Sequence, residues 1–594
     1  MVGLLMSGPG APSAGYSEEL AGDELSRAAQ SVLKSYCYSC HGVDFKVPRL
    51  DIMNHRLLVQ SRPEQESFIV PGNPDESLIW NRMGIQQDMP PEDATRRPSE
   101  QELEIVRKWI EAGAAEPTDP SRQFLEEREV LSQIQQHLQR MRSQDRPHQR
   151  YLTLTNLHNN PTVSAADLRL YRAAFSKLIN SLSRRGTLVI PELIDASKDS
   201  PGNGVIFHID LRQLGWDTAT WQQAIQNYPY GVKWRDPELD ELDADINRML
   251  GGDINGDGVS SVRVDWFIHT ASRPPVYHRF LDIPQTIQEL EVNRLGVNVT
   301  DDFRNGQLLR AGFSGSGVSR NNRLVDRHGG SNTKYYYRSY DFAKSVGRGV
   351  LSRFPLGPNF EGNPFPDFAF EHDGGEIIYS MPNGMQGYML IDGAGNRLDD
   401  APINLVRDIN ESSGNPVIVN GISCIGCHKR GLIDYEDAVR AAKVLGGDAL
   451  TKVDSIYARG ETLQDNLDND RQLFLLALRR IMTPFLVEGE DYGSNLPVAR
   501  IEDLPEPVST VSRWYDKDVG PAEAAAELNL KSAEYFQAAV GTNDKLRQLG
   551  VGPLGEGARI PRAVWDSLDE STSTVFQRIF VSLGFGTAVS PISQ

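Results

Sequence analysis

Apolar positions along this chain follow two rhythms. Leu25, Ala29, Val32 and Leu33 recur at helical spacing and predict a helix over 23–37 that runs into Cys37. Leu103, Val106 and Ile110 share one face of a second predicted helix, 100–112. The pattern Ser99-Glu-Gln-Glu102 ahead of it is a capping box. Pro48, Pro63, Pro71 and Pro74 mark the stretch between the two as loop-rich. Phe124, Leu131, Ile134, Leu138 and Met141 make 121–145 a charged helix that packs one domain on the next. After a helix near 165–182 the period changes to two. Residues 187–190 and 205–210 read as strands, the second without a clear inner face. Residues 376–381 and 387–392 flank Pro382-Asn383-Gly384 and predict a hairpin. Helical spacing returns after 431. The segment 471–482 is apolar enough to be buried, and 522–540 reads as two short helices around a turn, a pattern shared with DNA-binding helix-turn-helix units.

Size and charge narrow the classes. The 594 residues suggest roughly four domains. The formal charge of −19 argues against a nucleic acid or an anionic membrane as partner, and so against DNA reading by 522–540. No run of 18 apolar residues occurs, so no spanning helix is expected.

The four cysteines change the picture most. They form Cys37-Tyr-Ser-Cys40-His41 and Cys424-Ile-Gly-Cys427-His428, with none left over. Both are C-x-x-C-H, the attachment pattern of c-type haem: two thiols reach the two vinyl groups and the next imidazole becomes the proximal iron ligand. With 11 His in the chain, a His follows a given pair by chance only about 2% of the time. A redox dithiol needs no His, and a zinc ribbon brings its pairs much closer in sequence. Two covalent haems are therefore expected, with export to the periplasm or the cell surface of a bacterium. The start, Met1 to Tyr16, lacks a basic region, although Ala11-Pro-Ser-Ala14 resembles a cleavage site. Residues 1–21 read as a leader remnant or a disordered tail, the signal peptide being missing or truncated.

Helix, haem motif, loop and closing helix are the order of a small class-I-like cytochrome c. Met89, in Asp88-Met89-Pro90-Pro91, is the expected sixth ligand of the first haem, with Met53 and Met83 as rivals. The phrases YCYSCHG, IVPGNPDESLIW, DMPPED and SEQELEIVRKWIEAGAAEP resemble the planctomycete-type cytochrome c domain over residues 22–118. The resemblance implies a His/Met haem in an electron-conducting module. From about residue 150 onward, DWFIHTASRPPVYH, AGFSGSGVSRNNRLVDRH, FEHDGGEIIYSMPNGMQGYMLIDGAG and NGISCIGCHKRGL resemble an uncharacterised family of large bacterial c-type cytochromes. Dihaem cytochrome c peroxidases offer a looser analogy, from which the long gap between motifs and the mixed middle depart.

The expected fold is thus multidomain α+β. Its parts are a tail at 1–21, a helical cytochrome c domain at 22–118, a helical linker at 119–149, a mixed α+β domain at 150–430 ending in the second haem motif, and a helical region at 431–594. The distal side of the second haem is open between several readings. His372, in a Gly-rich turn before the hairpin, and His328 are candidate ligands or acid/base groups, with Arg323 as a candidate cation; Met381, Met385 and Met389 are alternatives. Asp253, Asn255, Asp257 and Asp265 resemble part of a calcium loop, with Val264 where the last ligand belongs. Tyr335, Tyr336, Tyr337 and Tyr340 read as strand packing before an electron relay. Functionally, an oxidoreductase is expected in which the first haem relays electrons between an external redox protein or small-molecule donor or acceptor and the second haem, where a small substrate, peroxide or oxygen reacts. The alternatives are a dihaem electron carrier with two six-coordinate irons, and a sensor.

Overall fold

The opening helix, Gly22–His41, buries Leu25, Ala29, Val32 and Leu33 and carries the first haem motif in its last turn. The computed structural model describes residues 22–41, 50, 52, 55–59, 66–91, 94, 97–116, 122–196, 203–252, 258–315, 321–342, 351–402, 406–408, 410–439, 445–457, 460–486, 504–568 and 572–589. Residues 1–21, read as a leader remnant or tail, lie outside these. By contacts the chain divides into two units, Met1–Gly42 with Leu50–Thr118, and Val43–Arg49 with Asp119–Gln594.

In the first unit the opening helix packs on helix Glu100–Glu111 through Val106, Trp109 and Ile110. The capping box forms as expected: Glu102 N–H donates to Ser99 Oγ (3.3 Å) and Ser99 N–H to the Glu102 carboxylate (2.8 Å). Tyr36 donates to the same carboxylate (3.0 Å), so one acid caps one helix and ties the other to it.

The second unit is mixed helix and strand. A four-stranded sheet holds β1 (Gln149–Thr153), β2 (Glu192–Leu193), β3 (Ile206–Asp210) and β5 (Val262–Arg263) in the order β2-β3-β1-β5. Strand β4 (Val232–Trp234) pairs with β12 (Gly586–Ala588). Helix Glu127–Arg140, helix Ala165–Ser181, the middle strands and the C-terminal helices share one apolar core, from Val130 and Leu131 through Phe175 and Phe207 to Trp565 and Phe580. Residues 187–190 do not form the expected strand. The Asn180 side chain instead takes both backbone groups of Val189, accepting at 2.8 Å and donating at 2.6 Å, which removes the ladder.

A six-stranded antiparallel meander follows: β6 (Leu309–Ser314), β7 (Asn322–His328), β8 (Tyr336–Phe342), β9 (Gly374–Ser380), β10 (Gln386–Asp392) and β11 (Arg397–Leu398), each beside the next. The expected hairpin is β9–β10, with Gly384 at φ +88° in its turn. Both faces of this meander are covered. Val325 and Tyr337, with Leu432, Leu463 and Leu467, cover one; Leu324, Tyr340 and Phe342, with Phe303 and Val453, cover the other. Both expected helical segments of the C-terminal region form: 471–482 ends helix Gly460–Met482, and 522–540 resolves into helices Pro521–Glu527 and Ala533–Thr542. Ala524, Ala525 and Glu527 of the first of these are core residues.

Across β6 and β7, Arg310 and Asp326 are register partners and form a two-pronged ion pair at 2.5 and 2.6 Å, both side chains 2% exposed. Removing one partner strands the other charge in the core. Asp326→Ala is expected to destabilise the second unit by about 3–5 kcal/mol, read as an earlier urea midpoint. The double replacement Arg310→Met with Asp326→Leu is expected to recover most of that loss, because it leaves no unpaired charge.

Candidate haem centres

In the first unit, Cys37, Cys40 and His41 occupy the last turn of helix Gly22–His41, so both thiols and the imidazole share one end of one element. Burial, then the neighbouring Cys40, pushes the Cys37 thiol up to about 12. Burial, then the charge of Arg82, holds His41 below the ordinary imidazole range, so it stays neutral, as an iron ligand must be. Its Nδ1 is buried without a hydrogen-bond partner among the described residues. Arg82 also holds the Met89 loop: its carbonyl accepts from Asp88 N–H (3.1 Å) and Met89 N–H (3.2 Å), and its Nε donates to Asp88 (2.7 Å). Met89 is half-buried beside the buried Pro90. Met83 is buried inside the preceding turn, Asn81–Ile85, as core filler. Met53 lies outside the described residues.

In the second unit, Cys424 and Cys427 lie on helix Ile422–Cys427, and His428 caps its end. They open on a cavity of about 480 Å³ lined by Val325, Ile378, Ile418, Leu432 and Tyr388 among the apolar groups. That is within the usual range of small-molecule and cofactor sites, about 300–1,000 Å³. Burial pushes the Cys424 thiol up to about 12 and raises Cys427 as well. His428 Nδ1–H donates to the Gly431 carbonyl (3.0 Å), which fixes the tautomer and leaves Nε2 as the free ring nitrogen. Its ring stacks on Tyr388 at 5.9 Å. Burial lowers its pKa, partly offset by Glu376. The donor set, the tautomer and the cavity fit a haem c.

Strand alternation decides which predicted distal groups reach this cavity. Arg323, Val325, Tyr337, Ser339, Glu376 and Ile378 line it from alternate positions of β7, β8 and β9. His328 sits at the other parity of β7. It pairs with Tyr336 and donates Nδ1–H to Asp302 (2.7 Å) on the opposite face. His372 precedes β9 and packs edge-on against Tyr340, also of that opposite face (5.6 Å). Neither His328 nor His372 is among the residues that line the cavity. Arg323 does line it. Asp341 grips its guanidinium at 2.5 and 2.9 Å and Glu376 accepts at 3.2 Å. Burial opposes its charge, but these two acids hold its pKa above the ordinary value.

All histidines and methionines between 119 and 594 lie among the described residues. Of them only His428 and Met389 line the cavity. Met389 pairs with Ile377, at the parity opposite to Tyr388, and belongs to the large core. Met381 and Met385 are core residues away from it. The sequence reading missed Glu376 and Tyr388, for which the period of two in β9 and β10 was the signal; Tyr337, read there as strand packing, lines the cavity from β8.

Of the calcium candidates, Asp253, Asn255 and Asp257 lie outside the described residues. Asp265 is buried in the first turn of helix Val264–Ala271 and accepts from Asn156 (2.8 Å) and from the Trp266 N–H (2.9 Å). Among the described residues no helix is long and apolar enough to cross a membrane.

Residues 37–93 match the family model described as Planctomycete cytochrome C. The match begins at Cys37 and contains Met89. No curated protein and no solved structure matches the chain. The first unit thus carries a cytochrome c domain, which points to covalently bound haem and electron transfer.

Gly421, at φ +88°, opens the second motif helix, and a Cβ there meets the Ser272 carbonyl at 2.5 Å and the Tyr277 ring at 2.9 Å. Gly421→Ala is expected to destabilise the second unit by about 1–3 kcal/mol, read as an earlier urea midpoint.

Proposed function

We propose that this chain is an exported dihaem c-type cytochrome with oxidoreductase chemistry at its second haem. Cys37, Cys40 and His41 hold the first group, with Met89 as sixth ligand; Cys424, Cys427 and His428 hold the second. Haem c, when bound, supplies one-electron transfer and, at an iron with a free position, small-ligand binding. One observation carries the assignment of chemistry to the second site: a cavity of about 480 Å³ at His428 that no second histidine lines. Such a site suits a small ligand better than it suits a bis-histidine electron carrier.

The residues of the cavity then have definite roles. Arg323 provides a positive charge fixed by Asp341, able to donate to a polar or anionic group that enters. Glu376 is the carboxylate beside it that can accept or return a proton. Tyr388 and the aliphatic lining restrict the entry of water. The first unit, with its Met89 loop, passes electrons to or from an external redox protein or small-molecule donor or acceptor. The reading as an electron carrier keeps one supporting observation, the Met389 thioether at the cavity wall.

Spectroscopy of the purified protein tests this. Alkaline pyridine treatment is expected to report two c-type haems per chain, and one after joint Cys424→Ser and Cys427→Ser replacement. Ferrous protein is expected to bind one CO per chain, with a high-spin ferric EPR signal from the same centre. Two low-spin irons that ignore CO would transfer the assignment to the electron carrier. Met89→Ala is expected to add a second CO equivalent and to lower the potential of the first haem, since a thioether ligand raises it.

A further inference from the structure

Far in sequence from both haem motifs, three metal-ligating side chains meet on the small sheet. Glu192 of β2, His208 of β3 and Tyr151 of β1 form one cross-strand row, so their side chains share a face. Helix Glu127–Arg140 lays His137 on that row, with its ring 4.7 Å from His208 and 5.8 Å from Tyr151. The ligand atoms of His137, Glu192 and His208 all lie within 4.8 Å of one another. His208 Nδ1 is 3.2 Å and His137 Nε2 3.9 Å from the same Glu192 oxygen, Oε2.

The hydrogen bonds around this cluster settle where the protons are. Gln149 donates its amide nitrogen to the Asp145 carbonyl (2.7 Å) and to Asp210 (3.3 Å). Its Oε1 must therefore be the atom turned to His208 Nε2, at 2.7 Å. Nε2 then carries the proton of the neutral ring, and Nδ1 presents a lone pair to the Glu192 carboxylate. Two acceptors facing each other repel unless a metal ion or a shared proton lies between them. His137 offers its Nδ1 to the Tyr151 hydroxyl (2.8 Å), again leaving the nitrogen nearer Glu192 free. Both imidazoles are thus oriented from behind by a second residue, as metal-ligating histidines are.

We propose that His137, His208 and Glu192 bind a divalent transition-metal ion of the zinc class, which clamps helix Glu127–Arg140 to the small sheet. Two nitrogen donors exclude calcium and magnesium, which take oxygen. Bonds of 2.0–2.2 Å in a tetrahedron put ligand atoms about 3.3 Å apart, close to the 3.2 and 3.9 Å present. The Glu192 side chain is 62% exposed and free to swing the remaining distance, while His208 and His137 are 13% and 19% exposed and held. Solvent takes the fourth position, so the ion is exchangeable. The site leaves the haem ligands untouched.

The test uses the full-length, haem-loaded protein, stripped with EDTA and titrated with zinc chloride. Calorimetry and elemental analysis after dialysis are expected to find one zinc per chain at this site. Glu192→Gln, whose exposed side chain leaves the fold intact by circular dichroism, is expected to weaken that binding at least about tenfold. His137→Ala is expected to abolish it. Zinc is expected to raise the thermal midpoint of the parent and not of either variant, with haem absorption unchanged throughout. Equal zinc uptake by parent and Glu192→Gln, or none by the parent, overturns the proposal; His208 and Glu192 would then share a proton instead.

Discussion

A strand can give a neighbour only every second side chain. In the meander β6–β11 that constraint sorts the whole second unit. Alternate residues of β7, β8 and β9 build the cavity wall at His428, while their sequence neighbours, Leu324, Tyr336, Tyr340 and His328 among them, build the packing on the far side. One position of slip would exchange the two sets. Arg323 and His328 are five residues apart on one strand, and an odd separation is what puts them on opposite faces.

The same sheet carries a load of buried charge, and four of its arginines each meet an acid. Arg310 meets Asp326, Arg323 meets Asp341 and Glu376, Arg327 meets Asp470, and Arg338 meets Glu291. Buried pairs of this kind repay their desolvation only when geometry and hydrogen bonds are good. Their value here is registration. Arg310–Asp326 and Arg323–Asp341 join adjacent strands at single register positions, so a slipped strand would leave charges buried and unpaired. The cation at the cavity and the order of the sheet are therefore one construction. Elsewhere Arg263, Glu527 and Arg562 tie β5 to the C-terminal helices in the same way.

Local signals were legible in the sequence and distant ones were not. Both C-x-x-C-H motifs, the capping box at Ser99 and the hairpin around Asn383-Gly384 are contained within a few residues, and each specifies its own geometry. The helix expected over 121–145 is confined to Glu127–Arg140, because Glu126 and Glu129 form a capping box at its start and Met141 turns to extended backbone at its end. The strand expected at 187–190 failed because a single side chain, Asn180, competes for the backbone. His372 and His328 were chosen for their glycine neighbours, but the face a histidine takes depends on strand register, which only pairing reveals. Glu192, His208 and His137 escaped notice for a related reason: they come from two strands and a helix, and no spacing in the chain announces them.

The hydrogen bond behind His428 ends on a main-chain carbonyl, that of Gly431, three residues further along the same turn. Had the acceptor been an aspartate or an asparagine, a single codon change could have deleted it. As built, the bond has no side chain to lose, and only a change in the path of the turn, which Gly431 holds at φ +88° where an L side chain is strained, can take it away. The basicity of the His428 imidazole thus follows the shape of the loop and no acidic side chain.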